Sequence, residues 1–335
     1  MVFHLRLLLV LIVVVGPVSS EASCRTFFGG LIGRLSPLAS SDQRIGSVGP
    51  LELSIVETAG TATGKYLIPN EFHTDEFRPI LSGRKGALIS VGTFRTLIDA
   101  SYGDFDNVIL ADIDSITTEF NQLHLELIAE SSSREDYLQR IASFPAHSDS
   151  LEQIHRLLRM RMGPGGLYGD AGPPLLARFV EKATSDSQRL FPDSFLNSDQ
   201  AFLKIQTGIR EGRYAAVQVD LAGLQMGKLS SQLRAQGVRI SVIDLSNALE
   251  HIGAKSLDSV KTFWANLGAL PLLPDAVVLM TINTRFELDL RAHQSRADDD
   301  WIYYSLEAVA FQNALRQYAF QRRGDYNDWV KTFLD

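Results

Sequence analysis

Short apolar runs alternate with helical patterns over most of the chain. Five runs are typical of buried strands: Ala87–Val91, Val108–Ala111, Ala215–Val219, Val238–Ile243 and Ala276–Ile282. Between the runs the apolar positions follow the helical period, as at Ile116, Phe120 and Leu123. Strands that alternate with helices predict a parallel sheet joined by right-handed crossovers. The pattern therefore predicts an α/β fold with helices on both faces of the sheet and a helical insertion after the second strand.

The same pattern gives approximate bounds for the other elements. Helices are predicted at Phe72–Leu81, Phe94–Ala100, Ser115–Leu127, Tyr137–Ile141, Leu151–Met162, Ala201–Arg210, Lys228–Gln236, Val260–Leu267 and Tyr303–Tyr318. Leu51–Val56 has a weak strand pattern. The glycine- and proline-rich segment Gly163–Pro174 predicts a loop, either a binding loop or an exposed insertion. The acids 298–300 are expected to begin the last helix, where they favour its dipole, rather than to bind calcium.

The N-terminus has the features of a signal peptide. Arg6 precedes an apolar run of about ten residues that ends at Gly16-Pro17, and small residues follow. The run is shorter than the roughly 20 residues of a spanning helix. We therefore expect residues 1–22 to be a cleaved signal and the protein to be exported, to a periplasm or outside the cell. A membrane anchor over residues 5–18 is the alternative.

Composition narrows the classes of function. The 335 residues are 45% hydrophobic and carry a net charge of −7, which argues against a nucleic-acid partner because such partners select a basic face. Cys24, the one cysteine, excludes an internal disulfide and leaves lipid attachment as an alternative fate of the N-terminus. After signal cleavage no stable membrane span is expected. The histidines do not have metal-ligand spacing, so no metal site is predicted.

Polar residues stand at or just after the ends of the predicted strands. These are Gly92, Asp112, Asp220, Asn247 and Asn283. In a parallel sheet all five lie at the carboxyl edge, where open α/β sheets bind ligands. Gly92 permits a close approach of the backbone, and Asp112 suits vicinal hydroxyl groups, which predicts a nucleotide-like ligand. The alternative is that polar residues end most buried strands anyway.

Arg95 follows the glycine turn near a predicted helix start. Two interpretations are open. The guanidinium can bind a carboxylate or phosphate with help from the helix N-terminus, or the residue is an ordinary exposed arginine.

Six segments of the chain, taken in their sequence order, resemble those of a known protein family. They are Pro69–Phe72, Leu88–Gly92, Val108–Ile113, Ser194–Ser198, Val217–Gly223 and Ile243–Asn247. The chain resembles class I S-adenosylmethionine-dependent methyltransferases, and in detail an uncharacterised bacterial family with such a methyltransferase-like Rossmann fold. The resemblance implies S-adenosylmethionine as cofactor. The chain departs from the family pattern at two places. Thr93–Arg95 stands where the family usually has a polar turn, and the acid Glu250 stands one position later in the sequence than the family's acid.

The resemblance also implies roles for single residues. The cofactor would be bound by Asn70, Gly92, Asp112, Asp220 and Ser246. Asn247 and Glu71 are the candidates for aligning a methyl acceptor, and the catalytic residues themselves are not identified.

Two hypotheses about function follow. The first is an exported protein with a methyltransferase-like fold that binds S-adenosylmethionine or another nucleotide-like ligand at residues 67–335, with helical insertion at about 115–210 and a lead-in segment at 23–66. The second is a non-catalytic envelope protein that has lost the cofactor site, since the cofactor is made in the cytoplasm. Delivery of the protein into another cell would bring an enzyme back to its cofactor.

Overall fold

The structure is a computed structural model, and it describes residues 50–55, 69, 71–142, 172–283 and 301–321. Its strands are β1 (Ala87–Val91), β2 (Asn107–Asp112), β3 (Tyr214–Gln218), β4 (Ile240–Asp244), β5 (Leu272–Asn283) and β6 (Trp301–Glu307). A 3-10 turn at Thr74–Phe77 comes first. The helices are α1 (Arg78–Leu81), α2 (Phe94–Tyr102), α3 (Ser115–Glu130), α4 (Arg134–Ala142), α5 (Gly172–Ser185), α6 (Asp199–Arg210), α7 (Gln225–Ala235), α8 (Ala248–Lys255), α9 (Leu257–Ala269) and α10 (Ala308–Gln321).

The six strands form one sheet in the order β3-β2-β1-β4-β5-β6. Strands β1 to β5 are parallel, and β6 pairs antiparallel with β5. The order reverses between β1 and β4, which is the switch point of a Rossmann-like fold. The predicted α/β class and the helical insertion after β2, which comprises α3 to α6 in the described residues, are confirmed.

The alternation of side chains along the buried strands gives the sheet two apolar faces. In β1, Leu88 faces the core formed with α2 to α6, whereas Ala87 and Ile89 face the core formed with α7 to α10. Helices thus cover both faces, as the continuous apolar runs predicted.

The end of the chain differs from its prediction. Instead of one helix over Tyr303–Tyr318, Trp301–Glu307 forms β6 and the helix begins only at Ala308. The helical spacing of Phe311, Leu315 and Tyr318 does not continue through Trp301–Glu307, whose aromatic and β-branched residues favour a strand. The helix start predicted at 298–300, acids that lie outside the described residues, is therefore wrong.

The strand expected at Leu51–Val56 is also absent over residues 50–55. Backbone N–H groups that a strand partner would bind are used by side chains of the α7 region instead. Glu52 donates to Gln236 and Ser54 to Gln232. Leu51 and Ile55 are still buried against the core. The helix expected at Leu151–Met162 and most of the loop Gly163–Pro174 lie outside the described residues, and α5 already begins at Gly172.

Among the described residues, no helix is both long enough and apolar enough to cross a membrane.

Candidate functional site

The carboxyl edge of the sheet brings the strand-end residues to one side of the molecule. Because β1 to β5 are parallel, Gly92, Asp112, Asp220 and Asn283 all lie at this edge, in the strand order given above. Asn247 follows β4 and is the N-terminal capping position of α8. Asn70 lies outside the described residues. The geometry thus places these residues at one edge, and their roles in ligand binding stay predictions.

Gly92 forms a turn at the switch point. Its φ is +107°, and no atom lies within 4 Å of the place where a Cβ would stand. The turn is fixed from the other side, because Asn121 Nδ2 of α3 donates to the Gly92 carbonyl at 3.1 Å. Asn121 is fully buried, and the pattern of apolar residues gave no signal for it. A ligand can therefore approach the backbone at Gly92 over open space.

The substitution Gly92→Ala tests this conformation. A side chain is strained at this φ although it has room, so we expect unfolding free energy to fall by about 1–3 kcal/mol. The control is Gly227→Ala in α7, where nothing lies within 4 Å of the added Cβ and helix propensity should raise stability by about 0.5–1 kcal/mol. Urea denaturation of both variants measures the difference. An equal effect of the two substitutions would contradict the strained turn.

Asp112 ends β2 and is nearly buried, with 9% of its surface exposed. Its Oδ1 accepts a hydrogen bond from the backbone N–H of Asp114 at 2.8 Å. Burial raises the pKa of the Asp112 carboxyl to about 7, an effect that backbone hydrogen bonds from Asp114 and Ile113 only partly offset. The carboxyl therefore gains or loses its proton near neutral pH. Asp114 has a different role, since its side chain caps the N-terminus of α3.

Asp220 belongs to a braced turn after β3. Its Oδ1 accepts from the N–H of Ala222 at 2.9 Å. Asn266 of α9 donates to the carbonyls of Leu221 and Gly223 and holds the turn against the sheet. The half-buried Asp220 thus stands on a fixed turn beside β2.

Arg95, in the first turn of α2, is only 2% exposed, so the interpretation as an exposed arginine is wrong. Its Nε and Nη2 donate to Asp244 at the end of β4 at 2.6 and 2.8 Å. Its Nη1 lies 3.2 Å from Glu71 Oε1, an ion pair without hydrogen-bond alignment. The partners of Arg95 are therefore the protein's own carboxylates. They offset the unfavourable position of a cation at a helix N-terminus.

Glu71 and Ser246 complete this arrangement. Ser246 Oγ donates to Glu71 Oε1 at 2.6 Å, and the N–H of Ser246 donates to Asp244 Oδ1 at 3.0 Å. We call the closed circuit of Arg95, Asp244, Ser246 and Glu71 the Arg95 ring. Thr281 of β5 also donates to Glu71, at 3.0 Å. The ring connects the segment before β1 with α2 and the ends of β4 and β5.

Ser246 has a φ of +49°, which is unusual for a residue with a side chain. The Arg95 ring and the bond from the Thr281 N–H to the Ser246 carbonyl hold it there. The next residue, Asn247, is half-buried, and its side-chain amide has no hydrogen-bond partner within the described part of the chain. This amide is available to a ligand at the β4 side of the switch point.

Asp99 lies next to the ring on α2 and is fully buried. Burial, followed by the negative charge of Asp244, raises the pKa of Asp99 well above its ordinary value. No hydrogen-bond partner reaches either oxygen of Asp99 among the described residues. The hydrogen bonds and the close ion pair of Arg95 are made with two carboxylates, those of Asp244 and Glu71.

Sequence reasoning assigns no role to Asp244. An acid at the end of a strand and an arginine after the glycine turn are nevertheless the two halves of the ion pair. Asn283 contributes its backbone N–H to Glu250 Oε1 at 2.9 Å, so Glu250 connects α8 to the end of β5.

Among the residues that the structure describes, no group of three or more His, Cys, Asp or Glu side chains could hold a metal ion. His124 is a buried core residue of α3. Its Nε2 lies 2.7 Å from the hydroxyl oxygen of Tyr137.

Comparison with known protein families gives a match over most of the chain. A protein-family model described as a domain of unknown function (DUF7790) matches residues 66–331. No curated protein matches the chain.

Proposed function

The chain belongs to the DUF7790 family, a domain of unknown function, and we propose that it binds a nucleotide-like ligand at the carboxyl edge of its sheet. The observation that carries this proposal is the open space at Gly92, directly at the switch point of a Rossmann-like sheet. Ligands of open α/β sheets bind in the crevice at this position.

The chemistry of the neighbouring groups indicates which part of the ligand lies where. The Asp112 carboxylate at the end of β2 accepts hydrogen bonds from vicinal hydroxyls of a ribose, and Asp220 in the turn after β3 accepts one from an amino group of a base. The free amide of Asn247 binds on the β4 side. S-adenosylmethionine has all of these groups, and the resemblance to methyltransferases supports it as the cofactor.

Titration calorimetry with S-adenosylmethionine and S-adenosylhomocysteine tests the proposal. We expect micromolar binding by the wild type and none by Asp112→Ala. Because the ribose needs the ionised carboxylate and the pKa of Asp112 is about 7, binding at pH 8 should be about tenfold tighter than at pH 6.

The control for this experiment is Asp106→Ala. Asp106 stands at the opposite end of β2, where its carboxyl accepts a bond from Gly86, so the variant should bind as the wild type does. Failure of a folded wild-type protein to bind either compound would overturn the S-adenosylmethionine proposal.

A non-catalytic binding protein is the second candidate function. One observation favours it. Glu71, a candidate for aligning a methyl acceptor, is 2% exposed, and its Oε1 is bound by Ser246, Thr281 and Arg95. A side chain that is buried and held through one oxygen by three partners is poorly suited to follow an acceptor substrate. Under this proposal the site keeps a ligand without transferring a methyl group.

We also propose that the protein is exported. The support is the N-terminal sequence, with its basic start, short apolar run and small residues before Cys24. These residues lie outside the described ranges. Export and the ligand site are independent proposals, although an exported protein would meet S-adenosylmethionine only after delivery into a cell.

A further inference from the structure

We propose that Arg95 is a positioning residue, which holds the Ser246 turn at the β4 side of the crevice in the conformation that a ligand needs. The proposal rests on the proposed ligand site, because it assigns a role in that site to a residue that does not touch the ligand. It is argued from the Arg95 ring defined above.

The first step is that the turn after β4 is strained and needs support. A side chain at the φ of Ser246 costs of order 1–3 kcal/mol unless the surroundings compensate. The compensation comes from three bonds, one to each polar group of the residue. Its N–H donates to Asp244, its Oγ donates to Glu71, and its carbonyl accepts from the Thr281 N–H.

The second step is that Arg95 holds both acceptors in place. Two of its nitrogens donate hydrogen bonds to the two oxygens of Asp244, and the third forms the ion pair with Glu71. This fork is specific to arginine, because lysine offers a single ammonium group that cannot bind both oxygens of a carboxylate in parallel. Ser90 adds a further bond to Asp244 Oδ2 at 3.0 Å.

The third step is the location of the ring. Arg95 is rooted three residues after Gly92, on the β1 side of the switch point, and its partner Asp244 ends β4 on the other side. The buried guanidinium therefore spans the switch point. It fixes the distance between the open turn at Gly92 and the turn that carries the free amide of Asn247. Both halves of the crevice are tied to one side chain that itself is only 2% exposed.

Two variants loosen the ring without deleting its charge. Arg95→Lys keeps the cation and loses the fork, and Ser246→Ala removes only the bond to Glu71, which keeps Thr281 and Arg95 as partners. The control is Arg210→Lys. The Arg210 side chain donates to the carbonyls of Ala129 and Ser131 at the C-terminal end of α3, away from the ring. Ser246→Ala remains informative if Arg95→Lys fails to fold.

Amide hydrogen exchange of the full-length protein measures directly how often the hydrogen bonds of the Ser246 turn open. We expect the N–H groups of Ser246 or its replacement and of Thr281 to exchange at least about tenfold faster in both variants. The N–H groups of β2 should keep their wild-type exchange rates in both variants. In the Arg210→Lys control, the N–H groups of Ser246 and Thr281 should also exchange at the wild-type rate. Unchanged exchange at the turn in both variants would overturn the proposal, whether or not the protein binds a nucleotide.

Calorimetry of the same proteins with S-adenosylhomocysteine gives the second readout. We expect about tenfold weaker binding by both ring variants and wild-type binding by Arg210→Lys. Faster exchange with unchanged affinity would show that the turn does not position the ligand, which also overturns the proposal. If the wild type does not bind the probe, the proposed function fails, whereas the exchange rates still decide whether Arg95 holds the turn.

Discussion

Replacing Arg95 with methionine is expected to lower the free energy of unfolding by about 3–5 kcal/mol. The methionine fills much of the volume of the arginine, so the main effect is electrostatic. Asp244 and Glu71, which are 0% and 2% exposed, would stay buried without a cation. Uncompensated buried charges are among the few causes of effects this large. Urea denaturation at pH 7 measures the change.

The matched control for this prediction is Arg140→Met on α4. Arg140 also binds an aspartate through its Nε, at 2.8 Å to Asp136, but this pair is 27% and 26% exposed. Such partly exposed pairs contribute about 0–1 kcal/mol, so the control should lose little stability. A loss below about 1 kcal/mol in Arg95→Met would contradict this prediction, because it would mean that the charges of the Arg95 ring contribute no more to stability than an exposed ion pair does.

The substitution Asp112→Asn is expected to stabilise the protein at pH 8 and to have little effect near pH 4. Burial raises the pKa of Asp112 from its ordinary 3.8 to about 7, so the folded state holds the proton more tightly than the unfolded state does. Between pH 4 and 7 the wild type therefore loses stability from this group as the pH rises. The loss is complete above pH 7 and amounts to at most about 4 kcal/mol.

Denaturation of wild type and Asp112→Asn at a series of pH values between 4 and 8 checks this prediction. The asparagine can still accept the hydrogen bond from the Asp114 N–H, so the comparison isolates the charge. Asp220→Asn is the control, because that carboxyl follows the neighbouring strand β3 and accepts the same kind of turn hydrogen bond but is half-buried. A difference between wild type and Asp112→Asn that does not vary with pH would contradict the raised pKa.

The fold could be predicted from the sequence because its strands are buried on both faces. Continuous apolar runs such as Ala87–Val91 and the helical period between them determine a parallel α/β sheet almost without reference to distant residues. The antiparallel β6 could not be predicted in the same way. Its aromatic residues fit a strand or a helix by local pattern, and pairing with β5 decides between the two.

The candidate site could be predicted only in part, for a similar reason. Strand-end residues such as Gly92 and Asp112 follow from the parallel sheet, which brings them to one edge. The bonds of Arg95 and Asn121 depend on packing between α2, α3 and β4, which local periodicity does not encode. An arginine after a glycine turn could equally face solvent or a ligand, and only the position of Asp244 across the switch point distinguishes the internal ion pair.

The Arg95 ring also has a consequence for the kinetics of folding. Its members are far apart in the sequence: Arg95 and Asp244 are 149 positions apart, and Glu71 and Ser246 are 175 positions apart. Closing contacts over such separations is entropically costly until β1 and β4 are paired. We therefore expect the ring to form after the main barrier, so that its energy slows unfolding and leaves the folding rate nearly unchanged. For a protein that we propose to be exported, such a late-forming ring would prolong the lifetime of the native state.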